Sequence, residues 1–428
     1  MNRRIRKILI TNAIALNGGD AAILHATIAI LRRCFGEDIE VTVHDMAARA
    51  SARYYPGLSF RRDIYSDIAE WSRGRARPSL AGLVVLAAVM ARNVPLLGGA
   101  LQTLLPPPLR RTLNDYVEAD LVVSSGGTYL VPHYSFTSKL FDFMIAEALG
   151  KPLVLFTQSL GPFPRSRRRL LLRAILRRAH LILVRDERSF NHLEELGISP
   201  ERVVLCADAA FALAPEGLQG RSFSPQRPAP RIAISVRDWP HFKSGSGEDG
   251  MERYFRAMAV LVNDLVLRRD ATVTFISTCQ GTPEYWTDDS RTAEEILRRL
   301  PNALHKNVTI DRQFRRPAEF IAELATFDLA VATRLHAAIM SLCAGTPVLP
   351  IAYEFKTTEL FRRFGLGEAV IDIEDISPET VLDAFEKGAA FWSAHAEEAW
   401  ATAKEERAAA FKAGDYLAQS LLSVRLAE

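Results

Sequence analysis

Cysteine is scarce in this 428-residue chain, and the four present, Cys34, Cys206, Cys279 and Cys343, lie far apart with no CxxC pair. That excludes a disulfide framework and a thiolate zinc site, and it fits a reducing compartment. Excess charge is lacking as well: 53 Lys and Arg against 50 Asp and Glu leave +3, too little for bulk nucleic-acid binding. Long apolar runs are missing. Leu80 to Ala91 is cut by Arg92-Asn93, and the run after it ends at Pro106-Pro107-Pro108. Each is short of the ~18 to 20 residues a membrane span needs. No GxxxxGK[ST] and no HExxH occur, Asp288-Asp289 is not part of a DxD, and His25 and His44 have no liganding neighbours at useful spacing. P-loop chemistry and a metal centre are therefore not expected. Gly245-Ser246-Gly247 is a fragment of Gly-x-Ser-x-Gly in a loop, which argues against a serine hydrolase.

What the chain does have is 48% apolar and 24% charged residues, an ordinary globular composition. Its start, MNRRIRKILITNAIAL, places basic residues before an apolar stretch, but Thr11 and Asn12 interrupt it and Asn17-Gly18-Gly19-Asp20 follows. A buried first strand turning into a helix fits better than an export signal. Short β-branched runs then alternate with helical stretches along most of the length, the pattern of parallel sheets covered by helices. The expected fold class is α/β, with two Rossmann-like doubly wound domains facing across a cleft. Residues 1–215 form the first domain, with an apolar insert at about 79–109. The Pro, Gly and Ser stretch 216–230 is the linker, 231–376 form the second domain, and 377–428 a C-terminal helical segment rich in Ala and Glu.

In such folds ligands bind beyond the carboxyl ends of the strands, so function is sought in the loops there. Thr333-Arg334-Leu335-His336 lies where the apolar strand Asp328 to Ala332 ends and a helix begins, a place that favours anions. Arg237 follows the strand ending at Val236. The two arginines are expected to converge on one ligand with two negative groups, each by a bidentate contact. The bland alternatives are a local carboxylate for Arg334, helix capping for His336, and Asp238 as partner of Arg237. In the first domain Asn17 and Asp20 flank a glycine turn, Asp20 serving either as helix cap or as a base toward a hydroxyl-bearing substrate. Gly126, Gly127 and Thr128, with nearby His133 and Tyr134, and Gln158 in Gln158-Ser159-Leu160-Gly161, repeat strand-to-loop turns and are read as acceptor-side residues; a tight turn alone explains each. Arg165 to Arg178 form a basic helix, Arg169, Arg173 and Arg177 aligned at i, i+4 spacing. Either it is a solvated face, or with the apolar insert it makes peripheral contact with anionic membrane.

Assembled in order, NGGDAAIL (17–24), ADLVVSSGGT (119–128), FTQSLGPF (156–163), VRDERS (184–189), ADAAF (207–211), ISVRDW (234–239), and RLHA, AGTPVLPI and YEFK within 327–356 resemble the polysaccharide pyruvyl transferase family. The family's usual third glycine is Thr128 here. The resemblance implies a fold similar to the two-lobed GT-B-like glycosyltransferases. It also implies transfer of pyruvate from phosphoenolpyruvate, as a ketal, onto two hydroxyls of a sugar in an exopolysaccharide or its lipid-linked precursor. It carries Arg334 and His336 over as donor-site residues. Phosphoenolpyruvate bears a carboxylate and a phosphate, the two anions for Arg237 and Arg334, and an imidazole serves general acid and base steps near neutral pH, so His336 and Asp20 are the expected catalytic pair. No cofactor beyond this co-substrate is implied, and the expected location is cytoplasmic, at the inner face of the membrane. Two other classes stay open: a GT-B nucleotide-sugar glycosyltransferase, and a non-catalytic glycan-binding member.

Overall fold

The computed structural model describes residues 5–73, 78–93, 103–132, 137–163, 167–243 and 246–427. They divide into two compact units, Met1–Leu16 with Ile23–Ala209 and Ala409–Glu428, and Asn17–Ala22 with Ala210–Ala408.

The first unit is built on β1 (Lys7–Ala13), β2 (Glu40–Asp45), β3 (Ser59–Arg61), β4 (Leu121–Ser124), β5 (Gly127–Leu130), β6 (Leu153–Leu160), β7 (Leu181–Val184) and β8 (Val203–Leu205). Their order is β3-β2-β1-β4-β6-β7-β8, with β5 paired to β6, and every pairing is parallel. The second unit carries β9 (Arg231–Ser235), β10 (Thr272–Phe275), β11 (Val308–Ile310), β12 (Leu329–Ala332), β13 (Val348–Ala352) and β14 (Ile371–Asp372), ordered β11-β10-β9-β12-β13-β14 and also all parallel. Both sheets are doubly wound, as expected. Their central strands read as continuous apolar runs because helices cover both faces: β4, β6, β7, β12 and β13 are buried at every position.

Three features add to or depart from the sequence reading. The segment 216–230 is docked on the second unit and is no free linker. Phe223 is fully buried edge-on to Phe385, the Arg221 N–H donates to the Gly345 carbonyl, and Trp400 Nε1 donates to the Arg221 carbonyl. Composition marked the lack of period but not these anchors. The C-terminal helix Ala396–Ala427 returns to the first unit from Ala409 on, where Cys34 Sγ donates to the Gly414 carbonyl at 3.2 Å and Arg33 lies 4.6 Å from the Phe411 ring centre. The basic helix is largely structural. Arg169 donates to the carbonyls of Phe163 and Glu195, Arg177 donates to that of Gly197, and the Arg173 guanidinium packs against Gly197. These cations therefore satisfy the carboxyl end of the helix Glu187–Leu196, whose last turn carries negative partial charge. No helix among the described residues is long and apolar enough to cross a membrane.

Candidate active site

In the second unit the strand order reverses between β9 and β12, and Ser235 and Ala332 are register partners there. Arg237 and Arg334 each lie two residues past that pair, at the place where doubly wound sheets hold ligands. The chain is fixed on both sides of it: Thr333 N–H donates to the Ser235 carbonyl at 2.8 Å, and the buried Tyr254 hydroxyl pairs with Thr333 Oγ1 at 2.7 Å. Arg334 caps the helix Leu335–Cys343, so His336 sits in its first turn, half-buried.

The first turn of the helix Gly18–Phe35 belongs to this second unit, although the sequence reading assigned it to the first domain. The reason is local bonding. Gly18 N–H donates to the Thr278 carbonyl at 2.9 Å, and Asn17 Nδ2 donates to the Tyr285 hydroxyl at 3.1 Å. A Cβ at Gly18 would stand 2.4 Å from that carbonyl oxygen, and one at Gly19 would stand 2.8 Å from His336 Nδ1. Only glycine lets this turn approach so closely. Asn17 is the helix cap, its Oδ1 accepting from the Gly19 N–H at 2.9 Å. Asn17, Asp20, Arg334 and His336 thus share one unit, in which Asn17 caps the helix.

Arg334 is held by a carboxylate the sequence reading passed over. Its Nε and Nη2 donate to Asp289 Oδ2 and Oδ1 at 2.9 and 2.6 Å, a bidentate pair with Asp289 only 1% exposed. Burial alone would lower the Arg334 pKa, but Asp289 outweighs it and the guanidinium stays charged. Asp289 also accepts from Ser277 Oγ. Nη1 of Arg334 makes no hydrogen bond among the described residues, so one face of the fork is left for a ligand. Arg237 is fixed differently. Its guanidinium lies 4.0 Å from the Tyr353 ring centre and 4.9 Å from that of Trp239. Burial, opposed by Arg334 and reinforced by Asp289 and Asp20, pushes the Cys279 thiol up to about 12, so it is no nucleophile at neutral pH. Burial, with Cys279 and Asp20, raises Tyr285 as well, so its hydroxyl keeps its proton while accepting from Asn17.

The sequence model of the family described as Polysaccharide pyruvyl transferase matches residues 17–354. The chain belongs to that family. It is 27% identical over 284 residues to the amylovoran biosynthesis protein AmsJ of Erwinia amylovora, covering 65% of this chain and 67% of the relative. Among solved structures it is similar to Anabaena HepE in complex with UDP-glucose, at TM-score 0.55 and 14% identity, covering 97% of this chain and 99% of the other. It is likewise similar to a UDP-GlcNAc 2-epimerase from Neisseria meningitidis bound to UDP-GlcNAc, at TM-score 0.53 and 10% identity, covering 99% of each chain. These structures share the two-domain α/β fold.

In the first unit the expected acceptor residues are largely engaged within their own loops. Gln158 is fully buried and its Nε2 donates to the Ser125 carbonyl at 2.6 Å and to the Tyr129 hydroxyl at 2.8 Å. A Cβ at Gly126 would meet Thr157 Oγ1 at 2.6 Å, and Gly127 has φ +147°. Thr128 Oγ1 accepts from Arg185 Nη2 at 3.0 Å, and Arg185 is itself buried against Asp208 and Ser159. Most polar groups of these turns engage one another, while Gln158 Oε1 and Thr157 Oγ1 are buried with no hydrogen-bond partner among the described residues. His133 lies outside the described residues. The residues missed were Asp289, Ser277 and Tyr285. All follow β10, so the rule of searching past strand ends applied to them, but a carboxylate at a helix start reads as a cap until its arginine partner is known.

Proposed function

We propose that the protein moves pyruvate from phosphoenolpyruvate onto two hydroxyls of one sugar in an exopolysaccharide or its lipid-linked precursor, forming a ketal and releasing phosphate. The carrying observation is the placement of Arg237 and Arg334, each two residues past the register pair Ser235 and Ala332 at the reversal of strand order, with His336 in the first turn of the adjoining helix. Two fixed guanidiniums suit a donor with a carboxylate and a phosphate. Asp289 holds the Arg334 fork at the buried end and leaves Nη1 for the ligand, while Tyr353 and Trp239 hold Arg237.

In this reaction the enol CH2 carbon of the donor gains a proton and becomes a methyl group. Two sugar oxygens bond to the central carbon, and the bond from that carbon to the phosphate oxygen breaks. The two hydroxyls lose two protons, one matching the proton gained by carbon and the other leaving with phosphate. His336, beside Gly19, transfers a proton at the donor. Asp20, in the first turn of the helix Gly18–Phe35 and within electrostatic reach of Tyr285 and Cys279, takes a proton from the attacking hydroxyl. Tyr285 retains a proton to donate to a donor oxygen. Family membership supports this reading over a nucleotide-sugar reaction, which draws on the fold of the UDP-bound relatives.

Incubation with phosphoenolpyruvate and a glycan panel tests it. Phosphate release that depends on the acceptor, with a pyruvate ketal on the product by mass spectrometry, is expected. Consumption of a UDP-sugar with no phosphate release from phosphoenolpyruvate would overturn it.

A further inference from the structure

The helix Pro78–Met90 contains no charged residue. One side packs into the core through Ala81, Val85, Ala88 and Val89. The other presents Leu80, Leu83, Val84, Ala87 and Met90 to solvent at helical spacing, Leu83 61% and Met90 69% exposed. A contiguous exposed apolar face of this kind marks an interaction surface. The buried side of the same helix, at Ala88 and Val89, borders a cavity of about 510 Å³ lined also by Leu105 and Leu113 and by four arginines, Arg61, Arg92, Arg110 and Arg111. Arg61 pairs with Asp115 at 2.8 Å. Arg92, Arg110 and Arg111 are exposed and form no ion pair with any described residue.

We propose that this face docks on a bilayer: the exposed side of the helix Pro78–Met90 enters the acyl boundary, and Arg92, Arg110 and Arg111 bind the phosphates of anionic phospholipid over the cavity. Charge complementarity selects this occupant. An exposed apolar helix face that ends two residues before Arg92, with Arg110 and Arg111 also exposed and Asp115 already held by Arg61 and His44, matches a surface that is apolar within and anionic at its edge. The site differs from the basic helix that the sequence singled out, whose Arg169, Arg173 and Arg177 serve a neighbouring helix end. It is independent of the reaction proposed above, because docking needs neither donor nor acceptor.

Sedimentation of the full-length protein at low salt with vesicles of phosphatidylcholine and phosphatidylglycerol, and with phosphatidylcholine alone, tests it. Binding to the anionic vesicles only is expected. Each cation near an anionic surface contributes about fivefold, so Arg92→Gln/Arg110→Gln/Arg111→Gln should bind about 10²-fold more weakly. Leu83→Ser/Met90→Ser should also lose binding. Thermal unfolding confirms that both sets fold, as their exposed positions imply. A charge-matched control, Arg268→Gln/Arg298→Gln/Arg312→Gln in the second unit, should bind like wild type. Failure of wild type to sediment, equal loss in the control, or loss of self-association in Leu83→Ser/Met90→Ser with no vesicle binding, which would mean a second copy covers this face, overturns the proposal.

Discussion

Gly19 and His336 meet so closely that a methyl group on the glycine would stand 2.8 Å from Nδ1 and 3.1 Å from both Cβ and Cγ of the imidazole. The helix start at Asn17–Asp20 thereby sets the position of the histidine, and the two loops pack together within the second unit.

Gly19→Ala should therefore displace the imidazole while leaving the fold intact. Overpacking of this kind costs about 1 to 3 kcal/mol, and a misplacement of the order of 1 Å costs on the order of 10²-fold in rate. Turnover measured beside thermal unfolding checks this; full activity in the alanine variant would mean the imidazole position does not matter.

The buried pair of Asp289 and Arg334 yields a second expectation. Asp289→Ala leaves a buried guanidinium unpaired and should destabilise the protein by about 3 to 5 kcal/mol in urea unfolding. Adding Arg334→Met should recover much of that stability while activity stays lost. Recovery of activity along with stability would limit the pair to a structural role.

In the first unit, burial pushes the Asp142 carboxyl up to about 6, against the hydrogen bond it accepts from Tyr116. The folded pKa lies above the unfolded value of about 3.9, so the native state binds the proton more tightly. Stability contributed by this group is present at low pH and declines as pH rises from about 4 to about 6. Asp142→Asn, which still accepts from Tyr116, should remove that slope and gain roughly 2 to 3 kcal/mol at neutral pH. Unfolding free energies at several pH values check it, and an unchanged slope would place the titration elsewhere.

His336→Ala should lower turnover by ~10²- to 10⁴-fold with donor affinity within a few fold of wild type, because a general acid acts on the barrier rather than on binding. Phosphate release and donor titration on the same preparation separate the two effects. Near-wild-type turnover would return His336 to its place as a helix-start residue.

The fold was legible because its signals are repetitive. Buried parallel strands such as β7 and β12 are uninterrupted apolar runs, and Gly197 and Gly365 stop helices where their left-handed φ values place them. The positions of Arg237, Arg334 and His336 were legible for the same reason: each follows such a strand. Pairings distant in sequence were not. Nothing near residue 334 announces Asp289, nothing near Gly19 announces His336, and the Gln158 Nε2 reads as available until the carbonyl of Ser125 is seen against it. Short strands such as β3 and β5, three and four residues long, carry too little pattern to stand out.

The central claim is that the paired arginines hold phosphoenolpyruvate, and calorimetric titration tests it without needing the acceptor. Wild type is titrated with phosphoenolpyruvate and with UDP-glucose, and Arg237→Ala with phosphoenolpyruvate. Arg237 is the cleaner target, since it rests on half-buried aromatic rings and its loss unpairs no buried carboxylate. The account predicts binding of phosphoenolpyruvate, no binding of UDP-glucose, and a loss of about 2 to 5 kcal/mol in the variant. Saturable binding of UDP-glucose with none of phosphoenolpyruvate, or equal phosphoenolpyruvate affinity in Arg237→Ala, would contradict it.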